Sequence, residues 1–442
     1  MKTISLSALT LYLLVACTAR EPAEKAVETV QLSQFVRISG EQFILSGKPY
    51  YFVGTNMWYA ANLAAEGQRE RLIRELDELQ ALGIKNLRIL GASEGRGDRR
   101  IRKVFQPVLG LFDRSMLEGL DFVLSEMGKR DMRAVIFLNN YWVWSGGMAQ
   151  YVAWINNEPF PNPFLPEYDW SHFMRYSASF YRTPKAVEAQ HKYIKMLLTR
   201  TNSVTGIPYI NDPVIMSWQL ANEPRPGLGE EAFQYKQAYL DWTENTARLI
   251  HELDPNHLVS TGNEGIIGSA VDEDMFLDAH RLPGIDYLTF HLWAKNWDWF
   301  DPMAAEDTYG PALDKARSYL KNHFEYAHNL GKPITLEEFG FPRDLQSYSA
   351  GSSIAWRDKY FTEILELVYQ NAASGGAVAG SNFWAWAGEG RAADTSYIWD
   401  AGDEYMGDPP QEPQGLYSIL DTDTSTIALL KRHADKMLGL MQ

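Results

Sequence analysis

Short apolar runs alternate with longer amphipathic stretches along most of the chain, and this alternation predicts the class of fold. Apolar runs such as those at 86–90 and 213–220 are typical of strands that are covered on both faces of a parallel sheet. The stretch 69–82 instead repeats leucine at spacings of three and four, which predicts a helix packed on a sheet. Because strands and helices alternate, the pattern favours an α/β architecture with a parallel sheet.

Eight segments are predicted to be core strands, with helical stretches between most of them. A small hairpin at 35–49 precedes the first strand and is expected to close the bottom of the sheet. No internal repeat or second-domain linker is visible, so residues 34–442 are predicted to form one (β/α)8 TIM barrel. The eight predicted strands are 50–54, 86–90, 133–140, 213–224, 257–262, 286–291, 333–338 and 376–384.

Composition and charge narrow the class of ligand. The 442 residues are 45% apolar and 22% charged, which is ordinary for a soluble globular protein. A formal charge of −15 argues against nucleic acid as a partner and is compatible with a neutral ligand. The 14 Trp and 23 Tyr are unusually many, and a large share of them lie in loop-like stretches. Aromatic faces in loops suit the apolar faces of sugar rings.

Residues 1–16 have the pattern of a signal peptide. Lys2 precedes an apolar stretch at 4–15 that is too short to cross a bilayer core of about 30 Å. The stretch ends in Leu14-Val15-Ala16-Cys17, which resembles the lipobox of bacterial lipoproteins, with Cys17 as the acylated first residue of the mature chain. The alternative is an ordinary secretory signal that is cut near Ala16 or Ala19, which would make the protein secreted.

Residues 17–33 are polar and rich in Glu, which predicts a flexible tether between the anchor and the barrel. An acylated Cys17 would hold the protein on a membrane without a spanning helix. The expected location is therefore the cell envelope, on the outer membrane or cell surface of a bacterium. Cys17 is the only cysteine, so no intrachain disulfide is possible. We also expect the protein to be a monomer.

Two predicted strands end in glutamates. The fourth stops at Asn222-Glu223-Pro224, where Pro224 has no amide hydrogen to continue the ladder. The seventh ends in Glu337 and Glu338 before Gly340. Carboxylates at the ends of barrel strands suggest acid, base or nucleophile chemistry at the mouth of the barrel. The alternative is that each glutamate caps a turn or forms a structural salt bridge.

The second predicted strand carries Arg88 in an apolar setting. A buried arginine needs an anionic partner, and a catalytic carboxylate is the first candidate, with a structural salt bridge as the alternative. The longest predicted loop, 141–184, contains four tryptophans and is interpreted as a wall of a cleft, because long loops in compact domains are usually functional. These tryptophans are Trp142, Trp144, Trp154 and Trp170.

Five motifs at successive strand ends resemble glycoside hydrolase family 5, and within it the endo-β-1,4-mannanase branch. They are Arg88, Asn222-Glu223-Pro224, His291, Glu338-Phe339-Gly340 and Trp384. The resemblance covers nearly the whole mature chain. It implies that Glu223 is the acid/base and that Glu338, rather than Glu337, is the nucleophile. Alternation of side chains along a strand predicts that only one of these two adjacent glutamates faces the barrel axis.

The chemistry that the resemblance implies is double displacement, in which Glu338 attacks the anomeric carbon while Glu223 protonates the departing oxygen. The two carboxyl groups are then expected about 5–5.5 Å apart. Arg88 is expected to keep Glu338 ionised. Asn222 is expected to hold the sugar 2-hydroxyl, and Trp384 to stack beneath the ring.

Further expected substrate contacts depend on weaker matches. Arg225, Glu264 and Trp142 resemble positions that the mannanase branch uses for sugars on the leaving-group side. One departure is His291-Leu292-Trp293, where the family often has His-x-Tyr, because an indole donates but does not accept a hydrogen bond. The remaining expected contact is Trp58, in the loop after the first strand.

The predicted function is that of a membrane-anchored, retaining endo-β-1,4-mannanase acting on mannan, glucomannan or galactomannan. One alternative is an endo-β-1,4-glucanase on the same scaffold, since a barrel does not determine its substrate. Another is a non-catalytic glycan-binding surface lipoprotein. No cofactor or metal is expected, because His251 and His280 lie outside any spacing typical of ligands.

Overall fold

The computed structural model describes residues 34–441, in which the predicted barrel is present. The chain begins with a small antiparallel sheet made of β1 (Arg37–Ser39), β2 (Gln42–Leu45) and β3 (Lys48–Pro49), at the position predicted for a hairpin. The predicted signal peptide, the tether and Cys17 lie outside the described residues.

Eight further strands form one parallel sheet. A parallel bridge between Ser260 and Tyr287 joins its two end strands, so the sheet closes into a ring. This confirms the (β/α)8 barrel. The strands are β4 (Phe52–Asn56), β5 (Asn86–Leu90), β6 (Arg133–Phe137), β7 (Ile215–Gln219), β8 (Leu258–Ser260), β9 (Leu288–Leu292), β10 (Ile334–Phe339) and β11 (Val378–Phe383). Their order in the sheet is β8-β7-β6-β5-β4-β11-β10-β9.

Helices surround this ring. In the helix Arg69–Ala81 the leucines at 72, 76 and 79 are fully buried, as their spacing predicts. The helices are α1 (Ala60–Ala65), α2 (Arg69–Ala81), α3 (Arg114–Lys129), α4 (Gly147–Asn156), α5 (Trp170–Ala178), α6 (Pro184–Leu198), α7 (Glu231–Leu253), α8 (Glu273–Arg281), α9 (Ala305–Leu330), α10 (Ala355–Ala373) and α11 (Thr424–Gly439).

The segment 141–184 was predicted to be one long loop, and this prediction is wrong because the segment contains the helices α4 and α5. Helix α4 ends on Asn157 in the left-handed conformation. Helix α5 begins after Asp169, whose carboxylate accepts a 2.7 Å hydrogen bond from the backbone N–H of His172. The segment is therefore built of regular structure that holds its aromatic side chains in place.

A second long segment, 384–423, follows β11 and was not singled out from the sequence. It contains β12 (Trp386–Gly388) and β13 (Ile419–Leu420), which pair with each other, and it is otherwise irregular. The segment lies against the loop after β4, where the Tyr59 hydroxyl donates to the Trp386 carbonyl. Among residues 34–441, no helix combines the length and apolarity needed to cross a bilayer.

Candidate active site

A cavity of about 400 Å³ opens at the carboxyl ends of the barrel strands. This is the end of a TIM barrel at which active sites are found. The cavity contains both predicted carboxylates and is rich in aromatic side chains. Its lining is Trp142, Trp144, Trp170, Asn222, Glu223, Arg225, Glu264, Ile267, Trp293, Asn296, Trp297, Glu338, Trp384, Pro409, Gln411 and Glu412.

Glu223 reaches the cavity from the turn after β7. Its φ of +49° lies in the left-handed region, which costs a residue with a side chain roughly 1–2 kcal/mol. The surrounding contacts hold this conformation, since the Glu223 N–H donates to the Gly262 carbonyl at 2.9 Å. Its Oε1 lies 2.6 Å from His291 Nδ1, and its Oε2 accepts a hydrogen bond from Trp142 Nε1. The carboxylate is therefore fixed at both oxygens.

Glu338 reaches the same space from the end of β10. Its Oε1 accepts a hydrogen bond from Arg88 Nη1, and its Oε2 lies 3.3 Å from His291 Nδ1. One imidazole nitrogen therefore contacts both carboxylates, and ligand oxygens of Glu223 and Glu338 lie within 4.8 Å of each other. The structure brings together the two residues that the sequence motifs predicted.

Arg88 is completely buried in β5 and its polar atoms are engaged on several sides. Nε donates to Gln219 Oε1 at 2.8 Å, Nη1 also donates to Asn56 Oδ1 at 3.0 Å, and Nη2 donates to Asn222 Oδ1 at 2.7 Å. Arg88 was expected to have an anionic partner because it is buried, and that partner is Glu338. The hydrogen-bond network of Arg88 also orients the Asn222 amide toward the cavity.

The position of Glu337 differs from what side-chain alternation along a strand predicts. The pairing of β10 with β9 shifts register between Leu336 and Glu338, so Glu337 is an extra residue in the ladder. Its Oε2 accepts a 2.5 Å hydrogen bond from Gln219 Nε2 and lies 3.6 Å from Arg88 Nε. The prediction that only one of the adjacent glutamates faces the axis is therefore wrong, because a bulge redirects a side chain.

Burial and the charge of Arg88 act in opposite directions on the pKa values of the two adjacent glutamates and in the same direction on the pKa of His291. Burial raises the pKa of Glu338 well above its usual range, and the Arg88 guanidinium opposes that rise. Burial also raises the pKa of Glu337. Burial, with Arg88 acting in the same direction, holds the pKa of His291 well below its usual range. The lowered pKa favours the neutral imidazole, and with the proton on Nδ1 this nitrogen is the donor that the two carboxylates share.

Arg225, Glu264 and Trp142 form one side of the cavity, which we call the Arg225 wall. Arg225 Nη2 donates to Glu264 Oε1 at 2.5 Å, and the guanidinium lies 4.9 Å from the centre of a Trp142 ring. Burial raises the pKa of Glu264 to about 7, while Arg225 lowers it. The wall contacts Glu223 through the Trp142 indole, as described above, and all three residues line the cavity as the sequence predicted.

Trp384 and Trp293 also line the cavity as predicted. Their ring centroids are 5.8 Å apart at 77°, and Trp293 makes a similar edge contact with Tyr417 at 5.1 Å. A Cβ at Gly340 would lie 2.7 Å from the Trp293 ring, so the glycine of the Glu-Phe-Gly motif leaves space for this indole. Trp293 is therefore held by ring packing at the position where the related motif has tyrosine.

Trp58 corrects a second expectation. It is only 1% exposed, it does not line the cavity, and its Nε1 donates to the Gly407 carbonyl at 2.8 Å. It packs against Trp144, with ring centroids 5.3 Å apart. The segment 384–423 covers Trp58, so this side chain supports the lining from behind and is not placed to touch a sugar.

The same segment contributes lining residues that the sequence analysis missed. Gln411 and Glu412 reach the cavity, and burial with the charge of Asp408 raises the pKa of Glu412 to about 8. Asn296, which follows β9, was also missed; its Oδ1 accepts a 2.5 Å hydrogen bond from the Tyr417 hydroxyl. No periodic pattern surrounds these positions, so only tertiary structure could bring them to the site.

Within residues 34–441, one trio of His and carboxylate side chains brings its ligand atoms within 4.8 Å, namely Glu223, His291 and Glu338. Zinc accepts such donors. However, Arg88 is already paired with Glu338, and its positive charge disfavours a cation at this position. The trio is better suited to proton transfer and nucleophilic attack.

Comparisons with known proteins cover nearly all of the described chain. The family profile described as "GH family 5 beta-mannosidase-like" matches residues 33–442. Mannan endo-1,4-beta-mannosidase 7 of Arabidopsis thaliana is 30% identical over 375 residues, which are 82% of this chain and 80% of the relative.

Two solved structures are similar over most of their length. A glycoside hydrolase family 5 mannosidase from Rhizomucor miehei superposes with a TM-score of 0.85 at 34% identity, covering 93% of this chain and 99% of that one. A mutant of that mannosidase has been solved in complex with mannosyl-fructose. The endo-β-1,4-mannanase from Thermotoga petrophila superposes with a TM-score of 0.64 at 25% identity, covering 89% of this chain and 78% of that one.

Proposed function

Because this chain belongs to the β-mannosidase-like glycoside hydrolases of family 5, we propose that it hydrolyses β-1,4-mannosidic bonds of mannan, glucomannan or galactomannan with retention of configuration. The observation that carries this proposal is the close approach of Glu223 and Glu338, whose oxygens lie within 4.8 Å. Retaining glycosidases need carboxyl groups about 5–5.5 Å apart, whereas inverting enzymes need about 6.5–9.5 Å to admit a water molecule.

In the first step, a Glu338 oxygen attacks the anomeric carbon and forms an ester with the sugar. The bond from that carbon to the glycosidic oxygen breaks, and Glu223 gives its proton to the departing oxygen. Arg88 supports the attack because it pairs directly with Glu338 and favours its ionised form. His291 supports it by presenting one N–H donor to both carboxylates.

In the second step, Glu223 takes a proton from water, and the resulting hydroxide attacks the anomeric carbon. The ester bond breaks, and Glu338 is released as a carboxylate. Asn222 donates one amide hydrogen to Asn140 Oδ1 at 3.1 Å, which leaves its second amide hydrogen for the sugar 2-hydroxyl. The Trp384 indole supplies an apolar surface for the sugar at the reacting position.

The mode of attack has two candidates. Cleavage of internal bonds was predicted from the sequence, and the plant relative carries the name of an endo-acting enzyme. Release of short units from the non-reducing end is favoured by a specific observation, since the segment 384–423 fills the space over Trp58 and brings Gln411 and Glu412 into the cavity.

Product analysis on defined substrates tests the substrate and the mode together. We expect faster release of reducing ends from locust-bean gum than from carboxymethylcellulose, and the reverse order would favour the glucanase alternative. On reduced mannohexaose, internal cleavage gives products of intermediate length at early times, whereas action at the chain end gives mannose first. Binding without release of reducing ends from any mannan would favour the non-catalytic glycan-binding alternative.

We also propose that Cys17 carries a lipid anchor that holds the enzyme on a bacterial envelope. The support is the Leu-Val-Ala-Cys sequence at the end of an apolar stretch. Metabolic labelling with a fatty acid is expected to label the wild-type chain, and Cys17→Ser is expected to lose both the label and membrane fractionation. Equal labelling of the variant would contradict the anchor.

A further inference from the structure

A row of aromatic side chains leads out of the cavity along the segment 141–184. Trp142 and Trp170 have ring centroids 6.0 Å apart at 71°, and Trp170 and Phe164 have centroids 5.6 Å apart at 81°. Edge-to-face contacts of this kind fix the rings relative to one another. Trp170 and Phe164 therefore form a continuous apolar surface next to Trp142, which we call the rim platform.

The rim platform is exposed although it is made of large aromatic residues. Trp170 is 40% exposed and Phe164 is 37% exposed, whereas the cavity-lining Trp144, Trp293 and Trp384 are buried. Trp170 also lines the cavity, so the platform is continuous with the space that contains the two carboxylates. An exposed aromatic surface joined to a binding cavity indicates a ligand that extends beyond the cavity.

The position of the platform determines which part of a ligand it meets. Trp142, which lies next to the inner end of the rim platform, donates a hydrogen bond to Glu223. In the proposed reaction Glu223 protonates the departing oxygen, so the leaving-group sugar lies on the Glu223 side of the cleavage point. A chain that continues past that first sugar, on its reducing-end side, then follows the row from Trp142 to Trp170.

We propose that Trp170 and Phe164 bind the second and later sugars on the leaving-group side of a mannan chain. The inference rests on the proposed function, since it assigns the leaving-group side from the acid role of Glu223. Trp170 stacks against one pyranose ring and Phe164 against the next. The edge contact with Phe173 at 6.0 Å and the cation–π contact of Arg99 with Phe164 at 5.5 Å support the two rings from outside the cleft.

A chain-length series tests this proposal. The value of kcat/KM is measured for an aryl β-mannoside, mannotriose and mannohexaose with the wild type, Trp170→Ala, Phe164→Ala and Trp170→Tyr. Trp170→Ala is expected to lower kcat/KM for mannohexaose about tenfold and to change the aryl mannoside less than about twofold. Phe164→Ala is expected to lower the mannohexaose value about threefold, and Trp170→Tyr to keep most of the wild-type value.

Ile207→Ala is the matched control. Ile207 is 37% exposed, like Phe164, but it lies in the connection that enters β7 at the opposite end of the barrel. It is expected to leave all three substrates unchanged. A loss in Trp170→Ala that is equal for every substrate would overturn the platform, because it would mean that Trp170 only supports Trp142. If the wild type cleaves no mannoside of any length, the proposed function fails and the platform fails with it.

Discussion

The two sides of the cleft are built differently. The side that the proposed function assigns to the leaving group consists of Arg225, Glu264 and Trp142, continues into a partly exposed aromatic row, and rests on the helices α4 and α5. The other side, which the proposed function assigns to the glycone, is closed by the irregular segment 384–423, whose Gly407 covers Trp58. If the proposed assignment of the two sides holds, this difference teaches that sugars after the cleaved bond have an exposed surface to bind and sugars before it do not.

Each side is also held by a different buried carboxyl group. On the leaving-group side, Glu94 accepts a 3.0 Å hydrogen bond from the Gly147 N–H at the start of α4. On the glycone side, Asp408 accepts hydrogen bonds from the backbone N–H groups of Gly415, Tyr417 and Ser418 at 2.8–3.2 Å. These contacts make it possible to disturb one side at a time.

The largest expected effect comes from replacing either of the two carboxylates, Glu338 or Glu223, by alanine. With an aryl β-mannoside, Glu338→Ala is expected to lower kcat at least about ten-thousandfold. Glu223→Ala is expected to lower it less, about a hundredfold, because an aryl leaving group needs little protonation. Added azide is expected to give the α-mannosyl azide with Glu338→Ala and the β-mannosyl azide with Glu223→Ala. The opposite assignment of anomers would exchange the roles of the two residues.

The next largest effect is expected on the glycone side. Asp408→Ala leaves three buried backbone donors and the Ser418 hydroxyl without their acceptor, so the free energy of unfolding is expected to fall by about 3 kcal/mol. Denaturant titration measures this loss, and kcat/KM is expected to fall for short and long substrates alike. Asp400→Ala, at an exposed position of the same segment, is the control. A loss of kcat/KM confined to long substrates would contradict the assignment of the segment 384–423 to the glycone side.

A smaller effect is expected from Trp142→Phe, which keeps an aromatic ring and removes the hydrogen bond to Glu223. A hydrogen bond to a charged group contributes about 1.5–3 kcal/mol, so kcat for mannohexaose is expected to fall about thirtyfold. The aryl mannoside is expected to be much less affected because its leaving group needs little protonation. Trp154→Phe, on α4, is the control. Equal losses on both substrates would argue against a role of Trp142 through the acid.

The smallest effect is a pH dependence of stability on the leaving-group side. Burial raises the pKa of Glu94 from its ordinary 4.5 to about 8, so folding favours its protonated form. Its contribution to stability is complete below pH 4.5 and is lost as the pH rises toward 8. Glu94→Gln removes this loss, and its melting temperature relative to wild type is expected to rise by about 3 °C between pH 5 and pH 9. Glu244→Gln, at an exposed position, is the control, and a constant difference across this range would contradict the prediction.

The sequence was sufficient for the barrel and for the cluster of charged side chains at its mouth. Each strand is a local apolar run, and parallel strands in a closed sheet must deliver their carboxyl ends to one face. Glu223, Glu338 and Arg88 could therefore be placed together from their positions at strand ends. The arrangement around His291, which contacts both carboxylates, follows from the same geometry.

The parts that could not be predicted depend on contacts between distant segments. The bulge that turns Glu337 toward Arg88 is a shift in pairing with β9, and no local pattern marks it. Trp58 was expected to contact the substrate, but Gly407 covers it. Because Gly407 lies far away in the chain, the sequence around Trp58 gives no sign of this contact. Glu412 was missed for the same reason, since the segment 384–423 has little regular structure from which to infer its path.

The most direct test of the central claim follows the anomer of the first product by proton NMR during hydrolysis of an aryl β-mannoside. If Glu223 and Glu338 act on one anomeric carbon from within a single hydrogen-bonded cluster, β-mannose is expected to appear first and the α anomer only later, through mutarotation. Appearance of α-mannose before the β anomer would contradict double displacement at this site.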